Sequence, residues 1–274
     1  VKLGFFFCTM YSLSIAVSGV IINRIGGSWP IMVTLFYTSI ITSLFFILAD
    51  INNFKKNISS IYDSSLLFFI VSISIAINWF SAFYVIINTS PHYLLSLHFL
   101  TYGIISTLKN KQVARSIIII LAIFLCTYAE EQSSSLTLFL SILSGTSSYI
   151  YLVSSCRLSR VSLLNVKGLL SIRYYLLILL SLFSINMNND TNQLFISLSD
   201  LKILFIISFL NMVIPLYFMQ SALEMIGADR TSKYLTLTPV VTFISDAIFN
   251  SEWNPLMFSC CLGVYFILNI KTGK

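Results

Sequence analysis

The sequence predicts an all-α polytopic membrane protein, ten transmembrane helices arranged as two inverted five-helix repeats. Three observations carry this expectation. Of the 274 residues, 57% are hydrophobic and only 9% charged, against roughly 25% charged in soluble domains. Apolar runs of about 20 residues, the length that crosses ~30 Å of hydrocarbon as a helix, recur along the whole chain. Lys and Arg gather in alternate gaps between those runs.

Spans are predicted at 3–22, 30–49, 65–87, 91–108, 113–129, 136–156, 168–186, 201–224, 231–250 and 253–270. The apolar run after Lys2 is the first of many, so it reads as a spanning helix rather than a cleaved leader. Gly26-Gly27-Ser28-Trp29-Pro30 is a turn cluster between the first two spans. Asn52-Asn53-Phe54-Lys55-Lys56-Asn57 and Asn186-Met187-Asn188-Asn189-Asp190 read as polar loops. The seventh span is crowded at its start by Lys167 and Arg173.

Ten spans put both termini on one face. That face receives fourteen of the sixteen Lys and Arg residues, Arg173 among them, and the other only Arg24 and Lys202. The asymmetry predicts cytoplasmic termini, whereas nine spans would scatter the charges. The net charge of +6 is therefore a topology signal, and the partner it implies is a lipid bilayer, not nucleic acid. A composition rich in Ile, Asn, Ser and Lys and poor in Gly suggests an AT-rich genome, and with it a bacterial inner membrane.

Two halves, 1–132 and 133–274, register at an offset of 140 residues, which sets Tyr11 against Tyr151, Ser14 against Ser154 and Ser81-Ala82 against Ser221-Ala222. Equivalent loops carry opposite charge character: Lys109, Lys111 and Arg115 follow the fourth span, while the loop after the ninth has no Lys or Arg. An inverted repeat of five spans predicts this reversal, and such repeats place a binding site at the midplane between them.

Within the ninth span, TSKYLTLTPVVTFISD carries Tyr234, Thr238, Thr242 and Asp246 at every fourth position, hence on one helix face. The offset maps them onto Leu94, His98, Tyr102 and Ser106, with Thr101 beside them. Two polar faces are expected to meet across a cleft. The hydroxyls read equally as pathway lining or as interhelical hydrogen bonding; a histidine near mid-span favours the pathway. Pro239 removes one backbone hydrogen bond and is expected to kink the ninth helix.

From Ala222 onward the chain resembles the second half of an EamA-type transporter of the drug/metabolite transporter superfamily. Gly227-Ala228, Ser232, Leu237-Thr238-Pro239 and Glu252, thirteen residues beyond the proline, carry the resemblance. The first repeat departs from the pattern with Phe99 and Gln112, and Asp246 stands where the family has a small residue. The resemblance implies a central cavity lined by helices 1, 3, 4, 6, 8 and 9, with 5 and 10 peripheral. Tyr11, Ser14, Asn78, Trp79, Tyr84, Tyr151, Gln220 and Glu224 put polar or amphipathic groups in those spans. Trp79 and Tyr84 each read more readily as interface or packing aromatics, and Glu224 and Asp246 read equally as groups that reach for the headgroups.

No HExxH, GxSxG, aspartate-rich run or nucleotide-binding glycine loop occurs, so no enzyme, metal site, cofactor or ATP-driven step is expected. The five cysteines have no zinc spacing. The expected function is secondary transport of a small amphipathic or zwitterionic metabolite; relatives move amino acids or S-adenosylmethionine. Protons or a counter-substrate are candidate coupling partners, and a homodimer is compatible with this plan. The alternative is a non-transporting sensor or assembly subunit.

Overall fold

A computed structural model describes residues 2–25, 28–187, 194–251 and 253–269, and among these no β-strand occurs. Glu252, Gly26, Gly27, Asn188, Asn189, Asp190, Lys271 and Lys274, all used in the sequence reading, lie outside the described residues. The helices are α1 (Lys2–Ile25), α2 (Ile31–Ala49), α3 (Phe54–Asp63), α4 (Ser65–Asn88), α5 (Pro91–Lys109), α6 (Val113–Ala129), α7 (Ser135–Ser162), α8 (Val166–Ile172), α9 (Tyr175–Met187) and α10 (Leu198–Ile207). A π-helical segment (Ser208–Val213) leads into α11 (Ile214–Ile226), followed by α12 (Ala228–Leu235), α13 (Thr238–Asn250) and α14 (Pro255–Asn269). Six stretches are long and apolar enough to cross a bilayer: α1, α2, α4, α7, α8–α9 and α10–α11. The chain is a helical membrane protein.

Starts of the helices follow capping chemistry. Ser134 and Thr137 form a reciprocal capping box at α7, and Ser197 with Asp200 does the same at α10; each satisfies amide donors that a helix leaves unpaired. At α5, Ser90 accepts from the Tyr93 amide and Pro91 occupies the first turn, where its missing N–H costs nothing.

Burial sorts the helices. On α6, Ile117, Ile118, Ile120, Leu121, Phe124 and Leu125 are exposed, an apolar surface suited to lipid. On α5, every residue from Pro91 to Gly103 is buried. It packs against α6, α7, α13 and α14, which lets it carry His92, Ser96, His98 and Thr101 where lipid would reject them. Elsewhere α4 packs on α7, α1 on α11 and α13, and α2 on α8 and α9.

The described chain ends share one end of the bundle. Phe5 lies 4.0 Å from the Tyr234 ring, and Asn269 donates to Thr236 at 2.8 Å. We call this the proximal end; the distal end holds Arg24, Glu130 and Asn250.

Several sequence expectations need correction. The stretch 52–57 is not a loop: a short 3-10 turn runs into α3, because Asn53 and Asn57 each donate to Asp50 at 2.8 Å and Asn165 donates to it at 3.4 Å. Arg157 and Arg160 extend α7 rather than a loop. Arg173 is not a loop residue either; it is fully buried, at the turn between α8 and α9. The ninth span is interrupted at Thr236–Leu237, so Pro239 opens α13 instead of kinking a continuous helix. The carbonyl that a proline strands four residues back is that of Leu235, and the Thr238 hydroxyl donates to it at 2.6 Å.

Candidate functional site

A cavity of about 70 Å³ lies at the centre of the bundle. Tyr11 of α1, Asn78 and Trp79 of α4, His98 of α5 and Tyr151 of α7 line it, and so do Ser144, Ser148, Asn211 and Met219. Tyr11 and Tyr151 are partners at the 140-residue offset, as are Trp79 and Met219. The π-helical segment carries Asn211, in a local widening of the kind that recurs at functional sites.

Close approach of α5 and α7 depends on Gly145. A Cβ there would stand 2.7 Å from the His98 carbonyl oxygen and 2.8 Å from Cβ of Thr101. With hydrogen alone at this position, Ser144 and Ser148 reach the polar groups of α5. His98 Nδ1 lies 3.1 Å from Ser144 Oγ, and Nε2 lies 2.9 Å from the Tyr102 hydroxyl. Ser144 donates to Asn78 Oδ1 at 2.9 Å, and Tyr102 donates to Ser148 at 2.5 Å. Both imidazole nitrogens thus meet oxygens whose own protons point elsewhere. Whichever nitrogen carries the ring proton therefore finds an acceptor.

Below the aromatic floor lies Arg173. Its guanidinium donates to the Tyr151 hydroxyl and, at 2.8 Å, to that of Tyr174. Its Cζ stands 5.2 Å from the Tyr151 ring centroid and 4.8 Å from that of Tyr174. Among the described residues no carboxylate lies within ion-pair distance of it. Tyr151 in turn donates to Gln220 Oε1 at 3.0 Å.

The stripe of the ninth predicted span divides. Tyr234, nearly half exposed, packs on Phe5 at the proximal end. Thr238 and Thr242 are buried, the first 2.8 Å from Ser12 Oγ on α1, the second donating to the Thr238 carbonyl at 2.9 Å. Neither lines the cavity. Ser14 donates to the Met10 carbonyl at 2.8 Å and Thr101 to that of Leu97 at 2.8 Å; both sit beside the cavity rather than in its wall.

Asp246 belongs to a polar chain across the distal end. Its carboxylate lies 3.2 Å from His92 Nδ1, too poorly aligned for a hydrogen bond but within ion-pair range when the ring is protonated. It accepts from Asn250 at 2.6 Å, and Asn250 accepts from Arg24 at 2.6 and 2.8 Å. On the other side, His92 Nε2 lies 3.0 Å from Ser90 Oγ, and Ser90 donates to Glu130. Asn23 donates to the carbonyls of Ile86 at 2.6 Å and Thr89 at 2.7 Å. Side chains from α1, α5 and α13 thus close the distal end, tied to α4 and to Glu130 at the end of α6.

The proximal end is open by contrast. A vestibule of about 560 Å³ is lined by Tyr102, Ser106, Lys109, Arg115 and Lys233, among others. Tyr102 faces this vestibule and also bonds His98, so a single layer of side chains separates it from the central cavity.

Sequence reasoning missed two residues here. Arg173 was counted with the loops, although its setting in LLSIRYYLLILL is a charge inside an apolar run. Asn211 is a lone amide four residues before Pro215, whose missing N–H marks the irregular backbone. No family model matches this chain, and no curated protein sequence matches it.

Proposed function

We propose that this protein is a secondary transporter of the EamA type in the drug/metabolite transporter superfamily, moving a small amphipathic or zwitterionic metabolite by alternating access. The observation that carries the reading is one cavity, apolar-walled with a few polar side chains, closed at the distal end and a single layer away from a wide vestibule at the proximal end. That is the geometry of a conformation turned toward one side of a membrane.

The packing supports ten spans in two inverted repeats. Exchanging the first five spans for the second five turns α4 on α7 into α11 on α1. It also turns α1 on α13 into α7 on α5, and α5 on α6 into α13 on α14; both members of every pair occur. Shared placement of the described chain ends agrees with an even number of crossings. Gly227, at φ +80° in the turn before α12, supplies the left-handed backbone that favours glycine, in the place where the family has an Ala/Gly turn. With the basic asymmetry, the proximal end is cytoplasmic and the distal end external. The cavity volume of about 70 Å³ is well below the roughly 300–1,000 Å³ of pockets that enclose drug-sized ligands. The conformation described is therefore contracted, and α5 and α7 would part to admit a metabolite.

Reconstitution tests this. Purified protein in liposomes should exchange a labelled solute down its gradient without ATP, and a cysteine at Ser106 should react with an impermeant thiol reagent only from the cytoplasmic side. Liposomes that stay inert to a broad metabolite panel would favour the non-transporting subunit.

A further inference from the structure

Unpaired donors gather at the cavity wall, in Asn211, and just behind it, in Gln220 and Arg173. A guanidinium has no acceptor, so the Tyr151 oxygen receives the Arg173 hydrogen bond and sends its single proton on to Gln220 Oε1. Arg173 thereby fixes the direction of the whole chain, and Gln220 is left with its amide nitrogen unpaired. Asn211 lines the cavity; its Oδ1 lies 3.0 Å from the Ser18 hydroxyl, which also lies 3.2 Å from the Ile15 carbonyl, and its Nδ2 has no partner. Nε of Arg173 has none either. All three side chains are 97% or more buried by accessible area, where an unpaired polar group carries a full desolvation penalty.

Charge points the same way. Among the described residues neither Asp nor Glu lines the cavity, so an ammonium group would meet no counter-ion from them there. The remaining wall is apolar or aromatic, with Ile15, Ile75, Leu94 and Leu216 facing Trp79 and Tyr11. A ligand that completes this site brings acceptors and one negative charge at one end and an apolar body at the other.

We propose that the cavity binds a small organic monocarboxylate. Its carboxylate accepts from the Asn211 amide, and Arg173 supplies the balancing charge from behind Tyr151. Arg173 is a positioning and charge-balancing residue, separated from the ligand by one tyrosine. This inference rests on the transporter reading and narrows its substrate to the anionic amphiphiles.

Ligand-dependent thermal unfolding of the full-length protein in detergent tests it, because a ligand that binds only the folded state raises Tm with concentration. The probes are propionate and butyrate, the matched amides propionamide and butyramide, the amines propylamine and butylamine, and inorganic phosphate. The carboxylates should raise Tm at concentrations about tenfold or more below any effect of their amides, as charge-assisted hydrogen bonds require. The amines and phosphate should have no effect. Arg173→Gln should abolish the carboxylate response and Arg173→Lys retain part of it. If Arg173→Gln does not fold, Asn211→Leu should weaken carboxylates more than it weakens their amides. Carboxylates that never raise Tm, a response to amines or phosphate alone, or a carboxylate response untouched in Arg173→Gln would each overturn the proposal. Exchange of the same probes in liposomes separates this from the transporter reading. Carboxylate binding without flux would leave the site standing and remove transport; flux of amines or neutral solutes without carboxylate binding would do the reverse.

Discussion

The two ends of the bundle enclose the same cavity with opposite chemistry. At the distal end, Glu130, Ser90, His92, Asp246, Asn250 and Arg24 form one connected polar chain drawn from the ends of several helices. At the proximal end, a vestibule of about 560 Å³ carries Lys109, Arg115 and Lys233, and only the His98–Tyr102 layer lies beneath it. The distal seal is made of polar interactions that can be exchanged for water. The proximal layer is made of close packing around Gly145, so its opening requires helices to part. One cavity therefore has a polar lock on one side and a packed lid on the other.

The sharpest way to break this comparison is to force the packed lid. Gly145→Ala places a methyl group 2.7 Å from the His98 carbonyl oxygen, and overpacking of this kind costs about 1–3 kcal/mol. Melting in detergent should show a Tm lowered by roughly 2–4 °C for each kcal/mol. A Tm equal to wild type would mean that α5 and α7 are not in firm contact.

Releasing the polar lock should have a smaller effect on stability and a directional effect on access. Asp246→Ala strands His92 and Asn250, at a cost of about 1–3 kcal/mol if both stay buried and less where water reaches them. A cysteine at Ala82, in the cavity wall, should then react about tenfold faster with an impermeant thiol reagent applied from the distal side. Access unchanged from that side would show that the chain through Asp246 does not hold the seal.

The smallest effect concerns the proximal end away from the cavity. Burial pushes the Asp50 carboxyl up, but hydrogen bonds from Asn53, Asn57 and Asn165 and the Lys167 charge more than offset it, leaving it below the ordinary carboxylate value. A depressed carboxylate contributes stability that is present above its unfolded value and lost as pH falls through the folded one. Wild type should therefore lose its advantage over Asp50→Asn as pH drops from neutral through about 4 and below. Melting curves that stay parallel across that range would remove Asp50 as the tie between α2, α3 and α8.

Parts of this architecture were legible before any coordinates. Tyr11, Asn78, Trp79, His98 and Tyr151 were read from polar groups inside apolar runs, and all five line the cavity. The stripe of the ninth predicted span was legible as a face, but its four-residue period assumed an unbroken helix. The break at Thr236–Leu237 separates Tyr234 from the rest; Thr238 meets Ser12 of α1 and Asp246 approaches His92 of α5, Thr242 bonds the Thr238 carbonyl, and none of the three lines the cavity. Arg173 was visible as a charge yet taken for a loop, because hydropathy registers charge and not the two tyrosines folded over it.

The sequence alone determined that this chain enters a membrane as helices, since its apolar runs admit no other satisfied backbone in hydrocarbon. It also carried the alternation of basic loops and the offset that sets Tyr11 against Tyr151. Tertiary structure decided which polar residues meet. Periodicity fixes the face a residue occupies on its own helix, while partners are fixed by how closely two helices approach, and that is set by single positions such as Gly145. It likewise decided that Arg173 is paired with hydroxyls and not with a carboxylate, because a buried charge takes its character from groups that lie 22 residues away in Tyr151 and one residue away in Tyr174.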